Sequence, residues 1–138
     1  MGVTLSTSGR RRQPPRTPDP WEVHRDLAKE AGRVLRAAEA LDGAPIPGVR
    51  REIDGAYEFL SDRFLPNARE EQAIRVRLAH RDCRTVQLDR VTGEIEGLVA
   101  HLAKEKALFA KADTPAARRD LRKTLYLLAS LLDLHYAL

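Results

Sequence analysis

One cysteine, Cys83, stands in the 138-residue chain. A single thiol cannot close an intramolecular disulfide, so cross-links do not hold this fold and a reducing, cytoplasmic setting is expected. No apolar run is long enough to span a bilayer, which argues against a membrane protein. No apolar stretch precedes the first arginines, so a secretory signal is not expected. Met1, Gly2 and Ser6 fit a short N-myristoylation pattern, one loose enough to arise by chance. Aromatic residues make up only 5% of the chain, and glycine and proline number eight each. Ala, Leu, Glu and Arg fill most of the remainder, and their side chains lose little rotamer freedom in a helix.

The charge is unevenly placed. The formal net charge is +4, and residues 1–19, with Arg10, Arg11, Arg12, Arg16 and the single acid Asp19, carry +3 of it. The remainder is close to neutral, which argues against a nucleic-acid-binding face on the folded part. Residues 1–19 combine Ser, Thr, Gly, Arg and prolines with few apolar residues. A disordered basic tail is expected there and one helical domain over 20–138.

Four amphipathic segments follow. Asp19, Pro20 and Glu22 form a helix-start signature. His24, Leu27, Ala31, Val34, Ala38 and Leu41 then recur at helical spacing. Asp42 through Pro47 read as a loop. A second helix from about Gly48 carries Val49, Ile53, Ala56, Leu60, Phe64, Asn67, Glu71 and Ile74 on one face. Pro66 should kink or break it. Neither glycine nor proline occurs between Asn67 and Thr92. The next boundary is therefore either a tight turn near Arg75–His80 or absent. A third helix presents Val91, Ile95, Leu98 and Leu102 and fades near Ala110. Thr114 as cap and Pro115 as first helical residue start a fourth, with Leu121, Leu125, Leu128, Leu132 and His135 on one face. The expected fold is all-α, an up-down-up-down four-helix bundle.

Polar side chains interrupt these apolar stripes at His24, Asn67, Glu71 and His135. Burying such groups is costly unless they are hydrogen-bonded, paired or metal-bound. In a bundle, inward His and carboxylate side chains from different helices build metal sites. His24, Glu71 and His135 would make a two-histidine, one-carboxylate set with open positions, suited to iron, manganese or zinc. A plainer account is equally open. His24 and His135 lie at helix ends, His135 where the dipole favours it, and Glu71 is then an exposed charge beside Glu70. His80 and Cys83 are further candidate donors. His101 should point outward, and Arg118-Arg119 should be a solvated face. No nucleophile–base pair, phosphate-binding glycine loop or Cys/His zinc spacing is present.

The run Phe59-Leu60-Ser61-Asp62-Arg63-Phe64-Leu65-Pro66-Asn67-Ala68-Arg69-Glu70-Glu71 resembles the second-helix motif of haemerythrin-like (HHE cation-binding) proteins. Leu121 through Leu125-Tyr126 to Leu131, Leu132, Leu134, His135 and Tyr136 resembles the family's last helix, and His24 its opening histidine. The resemblance covers about residues 20–138. It implies a four-helix bundle around a non-haem iron centre that binds dioxygen or nitric oxide, acts on peroxide or senses redox state. His24, Glu71 and His135 fall on expected ligand positions. Asn67 and Arg63 stand where the family has histidines. Asp82-Cys83 stands for its Asp-His pair, with His80 as a substitute in a shifted register. The carboxylate expected after His135 falls beyond Leu138. The resemblance thus implies an incomplete, at most mononuclear iron site that binds or senses rather than turning over substrate. The alternative is a metal-free interaction module with a protein partner or a second copy of the chain.

Overall fold

The computed structural model describes residues 20–43, 45–77 and 83–138, and all the regular structure in these stretches is helical. The helices are α1 (Pro20–Glu30), α2 (Gly32–Ala40), α3 (Ile46–Glu58), α4 (Leu65–Arg77), α5 (Cys83–Lys111) and α6 (Pro115–Ala137), and a π-helical segment, Phe59–Phe64, joins α3 to α4. They form four rods: α1–α2, α3–π–α4, α5 and α6. The first rod packs on the second and the fourth, and the third packs on the second and the fourth. No described helix is long and apolar enough to cross a membrane.

The first rod tightens at Ala31. There Ala31 N–H reaches Ala28 O and Val34 N–H reaches Ala31 O, three residues back rather than four. Leu27, Val34, Ala37, Ala38 and Leu41 are buried. The rod ends at Gly43, whose φ of 138° is open to glycine and strained for side-chain-bearing residues. α3 starts earlier than the expected Gly48, at Ile46, because Pro47 fits the first turn of a helix, where no N–H is needed.

Pro66 neither breaks nor ends the second rod. The turn before it widens instead: Leu65 N–H bonds Leu60 O, five residues back. A proline inside an α-helix lacks the N–H and its ring presses on the carbonyl four residues earlier. The π turn relieves that pressure and inserts one residue into the helical repeat. Phe59, Leu60 and Phe64 are all buried as a result, and Asn67, Ala68 and Glu71 continue the inward face.

The second and third rods lie side by side, Gln72 bonding Thr92 and Lys106 pairing with Asp54, and the turn expected near Arg75–His80 falls partly outside the described residues. The seam of α5 differs from the expected one in its middle. Val99 is buried where Leu98 is only half-buried, and the seam runs on through Leu102, Glu105 and Phe109. α6 matches its expected stripe residue for residue, with Leu121, Leu125 and Leu128 fully buried. Each such leucine contributes roughly 1.5–3 kcal/mol by leaving water. The cap also matches: Ala117 N–H donates to Thr114 Oγ1 at 3.0 Å, and Pro115 is the first helical residue.

Arg118 is not a solvated charge. Its guanidinium donates two bonds to Asp113, at 2.7 and 2.8 Å, and a third to Leu41 O at 3.1 Å. Nearby, Arg122 donates to Asp42 at 2.8 Å. The end of α2 is thus fastened to the start of α6. Asp19 and the basic tail expected over 1–19 lie outside the described residues.

Candidate functional site

The opposite end of α6 lies roughly 25 Å from Arg118, at 1.5 Å per helical residue. There three rods bring polar side chains together. His24, in the second turn of α1, is half-buried. Its Nδ1 stands 2.8 Å from Glu71 Oε1 on α4. The His24 ring centroid is 5.6 Å from that of His135 on α6. Glu71 is 4% exposed and His135 3%. That burial excludes the account of Glu71 as a surface charge beside Glu70, which is itself exposed.

Tyr136 completes a triangle of rings. It meets His24 edge-on at 4.7 Å and His135 at 5.5 Å. Phe64 closes the core side, edge-on to His135 at 5.0 Å and 6.0 Å from Tyr136. The π segment matters here. Phe64 is its last residue, and the widened turn sets Phe64 under the rings while still directing Asn67 and Glu71 inward. Asn67, 7% exposed, is buried one turn before Glu71.

The electrostatics of this end are unusual for a bundle interior. Glu71 Oε1 is buried and accepts no hydrogen bond among the described residues, although His24 Nδ1 is close. The approach therefore lacks the alignment of an N–H···O bond. Tyr136 OH is also buried without a hydrogen-bond partner among those residues. Burial, and secondarily the Glu71 carboxylate, push the Tyr136 phenol above its ordinary range. Buried acceptors and hydroxyls are nearly always satisfied in folded proteins, so two exceptions within one cluster require a cause.

These residues can be weighed against a metal ion. Two donors bound cis to one cation, each at about 2.0–2.2 Å, stand about 3 Å apart. The His24–Glu71 spacing and its poor hydrogen-bond alignment fit such a pair. His135 adds a neighbouring imidazole. No group of three or more His, Cys, Asp or Glu side chains among the described residues is already arranged around one point. The fit thus rests on a two-donor pair, an adjacent third donor and two unsatisfied oxygens.

The remaining candidates fall elsewhere. His80 lies outside the described residues. Cys83 is exposed at the first residue of α5 and does not belong to the buried cluster. His101 is exposed, as expected, and pairs loosely with Glu105, Nε2 to Oε2 at 3.4 Å.

Two polar residues escaped sequence reasoning. Tyr136 neighbours His135 in the chain, and a helical repeat of three and four does not flag adjacent residues as partners. Glu105 is buried on the α5 seam, with Oε1 unsatisfied, beside a cavity of about 300 Å³ lined by Leu108, Ala112 and Asp120. The available signal for Glu105 is its place three residues after Leu102, although glutamate more often marks a surface. No family model, curated protein or solved structure matches this chain.

Proposed function

We propose that this chain is a haemerythrin-like up-down-up-down bundle that binds one non-haem iron through His24, Glu71 and His135, and that it binds or senses dioxygen, nitric oxide or peroxide. The observation that carries the reading is the buried Glu71 carboxylate, 2.8 Å from His24 yet without an aligned hydrogen bond. A buried carboxylate whose nearby donor, His24 Nδ1, is not aligned to bond it is costly, and a cation removes that cost. The pairings support the helix directions. The start of the first rod meets the end of the fourth through His24 and Tyr136, and the end of the first meets the start of the fourth through Leu41 and Arg118.

Each residue has a distinct part. Glu71 supplies the anionic charge that holds a cation. His24 and His135 supply neutral imidazoles, which suit iron and zinc. Phe64 keeps water from the core side. Bound iron would supply open coordination positions for a small ligand. Asn67, a neutral donor one turn from Glu71, adds no charge for a second metal, which limits the site to one ion.

The test is elemental analysis after anaerobic ferrous loading and desalting. Near-stoichiometric iron in the wild type, lost in His135→Ala with helical content unchanged by circular dichroism, is expected. A well-folded wild type that retains no iron overturns the reading.

One observation favours a second reading, a metal-free interaction module. Leu127 and Leu134 are each 47% exposed on α6, and half-buried Leu131 on the same helix and Leu138 just past its end complete a stripe with them. Such a stripe suits a helix partner or a second copy of the chain. A monomeric mass in sedimentation across the micromolar range would count against self-association.

A further inference from the structure

Glu105 is a second buried carboxylate, and the proposed iron site makes no use of it. It is 9% exposed on the seam of α5, and its Oε1 is buried with no hydrogen-bond partner among the described residues. Its Oε2 has the loose approach of His101 Nε2, at 3.4 Å. A buried carboxylate in this state is costly. Leucine would fill the same seam position without that cost.

Two cavities meet at this residue. One, of about 300 Å³, lies between the end of α5 and the start of α6. The other, of about 370 Å³, continues along the same two helices. Glu105, Leu108 and Asp120 line both. The walls of the first carry two carboxylates and Thr114, and otherwise only Leu and Ala side chains, with no lysine, arginine or histidine. The second adds His101 and Lys123. The negative end of the α5 dipole and the positive start of α6 both border the first cavity and oppose one another, so the carboxylates set its sign. Asp120 is exposed and has Arg119 Nε at 3.5 Å, which weakens its field. Glu105, shielded from water, is the stronger of the two.

We propose that the first cavity binds an organic ammonium ion, its charged head on the Glu105 carboxylate and its apolar body against Leu108 and the alanines of the α5–α6 junction. The last torsion of a glutamate side chain is broad, so a small rotation offers Oε1 to the ligand. The ammonium supplies the donor that Oε1 lacks, in a charge-assisted hydrogen bond. A mostly apolar pocket of this size with few polar groups matches the small end of ligand sites. Asp120 stands about 22 Å from His135 along α6, at 1.5 Å per residue, so the site is independent of the iron-binding reading.

The experiment titrates the full chain with n-hexylammonium chloride and, separately, with sodium hexanoate at equal ionic strength, followed by NMR chemical shifts. Hexylammonium should bind with a dissociation constant of about 1 mM or lower, with shifts centred on Leu108, Ala112 and Ala116. Hexanoate should bind at least roughly ten times more weakly. Glu105→Gln keeps the shape, removes the charge and should weaken hexylammonium about tenfold or more. Ala116→Leu, which fills the cavity, should weaken it with Glu105 intact. Asp133→Asn, the same change of charge at an exposed acid elsewhere on α6, should leave it unaltered. Equal binding of hexanoate, or no hexylammonium binding to the wild type at about 10 mM, overturns the proposal without recourse to any variant. An unchanged affinity in folded Glu105→Gln overturns it as well.

Discussion

The two ends of α6 handle polar groups in opposite ways. At its start, every strong donor named here has an acceptor. Thr114 caps the helix, Arg118 bonds both Asp113 and Leu41 O, and Arg122 bonds Asp42. At its far end, Glu71 Oε1 and Tyr136 OH are buried with no hydrogen-bond partner among the described residues. The first pattern is how a protein fastens a loop. The second raises the free energy of the folded chain, and a ligand can recover that free energy. The same helix thus carries a structural clamp at one end and a candidate binding cluster at the other.

The contrast can be broken most forcefully at its apolar base. Phe64→Ala should cost about 3–5 kcal/mol, the range for deleting a buried aromatic ring. Because Phe64 floors the His135–Tyr136 rings, the variant should also lose any iron the wild type retains. Chemical denaturation and elemental analysis check both effects. Thr114→Ala should cost about 1 kcal/mol, as for a lost N-cap, and should leave iron binding untouched. Tyr136→Phe has the opposite sign. Without metal it should be neutral or stabilising by up to about 1 kcal/mol, since it deletes a hydroxyl without a partner. A clear loss of stability in the metal-free Tyr136→Phe variant would mean that the hydroxyl has a structural partner after all.

The smallest effect is a pH dependence confined to the clamp. The hydrogen bond from Arg118, reinforced by its charge and that of Arg50, holds the Asp113 carboxyl below its ordinary value of 3.8, against a smaller opposing effect of burial. A carboxyl depressed on folding contributes stability above its unfolded value. That contribution is lost as pH falls from about that value through the lower folded one. Arg118→Ala should therefore flatten the acid limb of the stability profile below pH 4, and Glu71→Gln should leave this Asp113 contribution intact. Both groups are near the surface, so the effect should shrink with added salt.

Local and periodic signals were the legible part of the sequence. Thr114-Pro115 announced a helix start because cap and proline act within one turn. The stripe from Leu121 to His135 was readable because burial follows the helical repeat over four turns. The approach of His24 to Glu71 and to His135 followed from their positions on the first, second and fourth helical segments. The rest depended on longer-range or unusual geometry. The π turn before Pro66 is an alternative to a kink that composition cannot distinguish. Arg118 reaches a carbonyl 77 residues away, which no local pattern encodes. Glu105 and Tyr136 were missed for different reasons: one is a charged residue on a seam, the other sits beside a residue already singled out. Leu98 and Val99 show how a one-residue shift of a seam passes unnoticed when both neighbours are apolar.

The most direct test of the central claim is the iron-dependent shift in melting temperature of three proteins: wild type, Glu71→Gln and Arg118→Ala. A ligand that binds only the folded state raises its stability in proportion to the logarithm of ligand excess. The account predicts that ferrous iron, added anaerobically, raises the melting temperature of the wild type. It predicts the same rise in Arg118→Ala, from a lower starting point, and none in Glu71→Gln. No iron-dependent shift in the wild type, or an equal shift in Glu71→Gln, would contradict it.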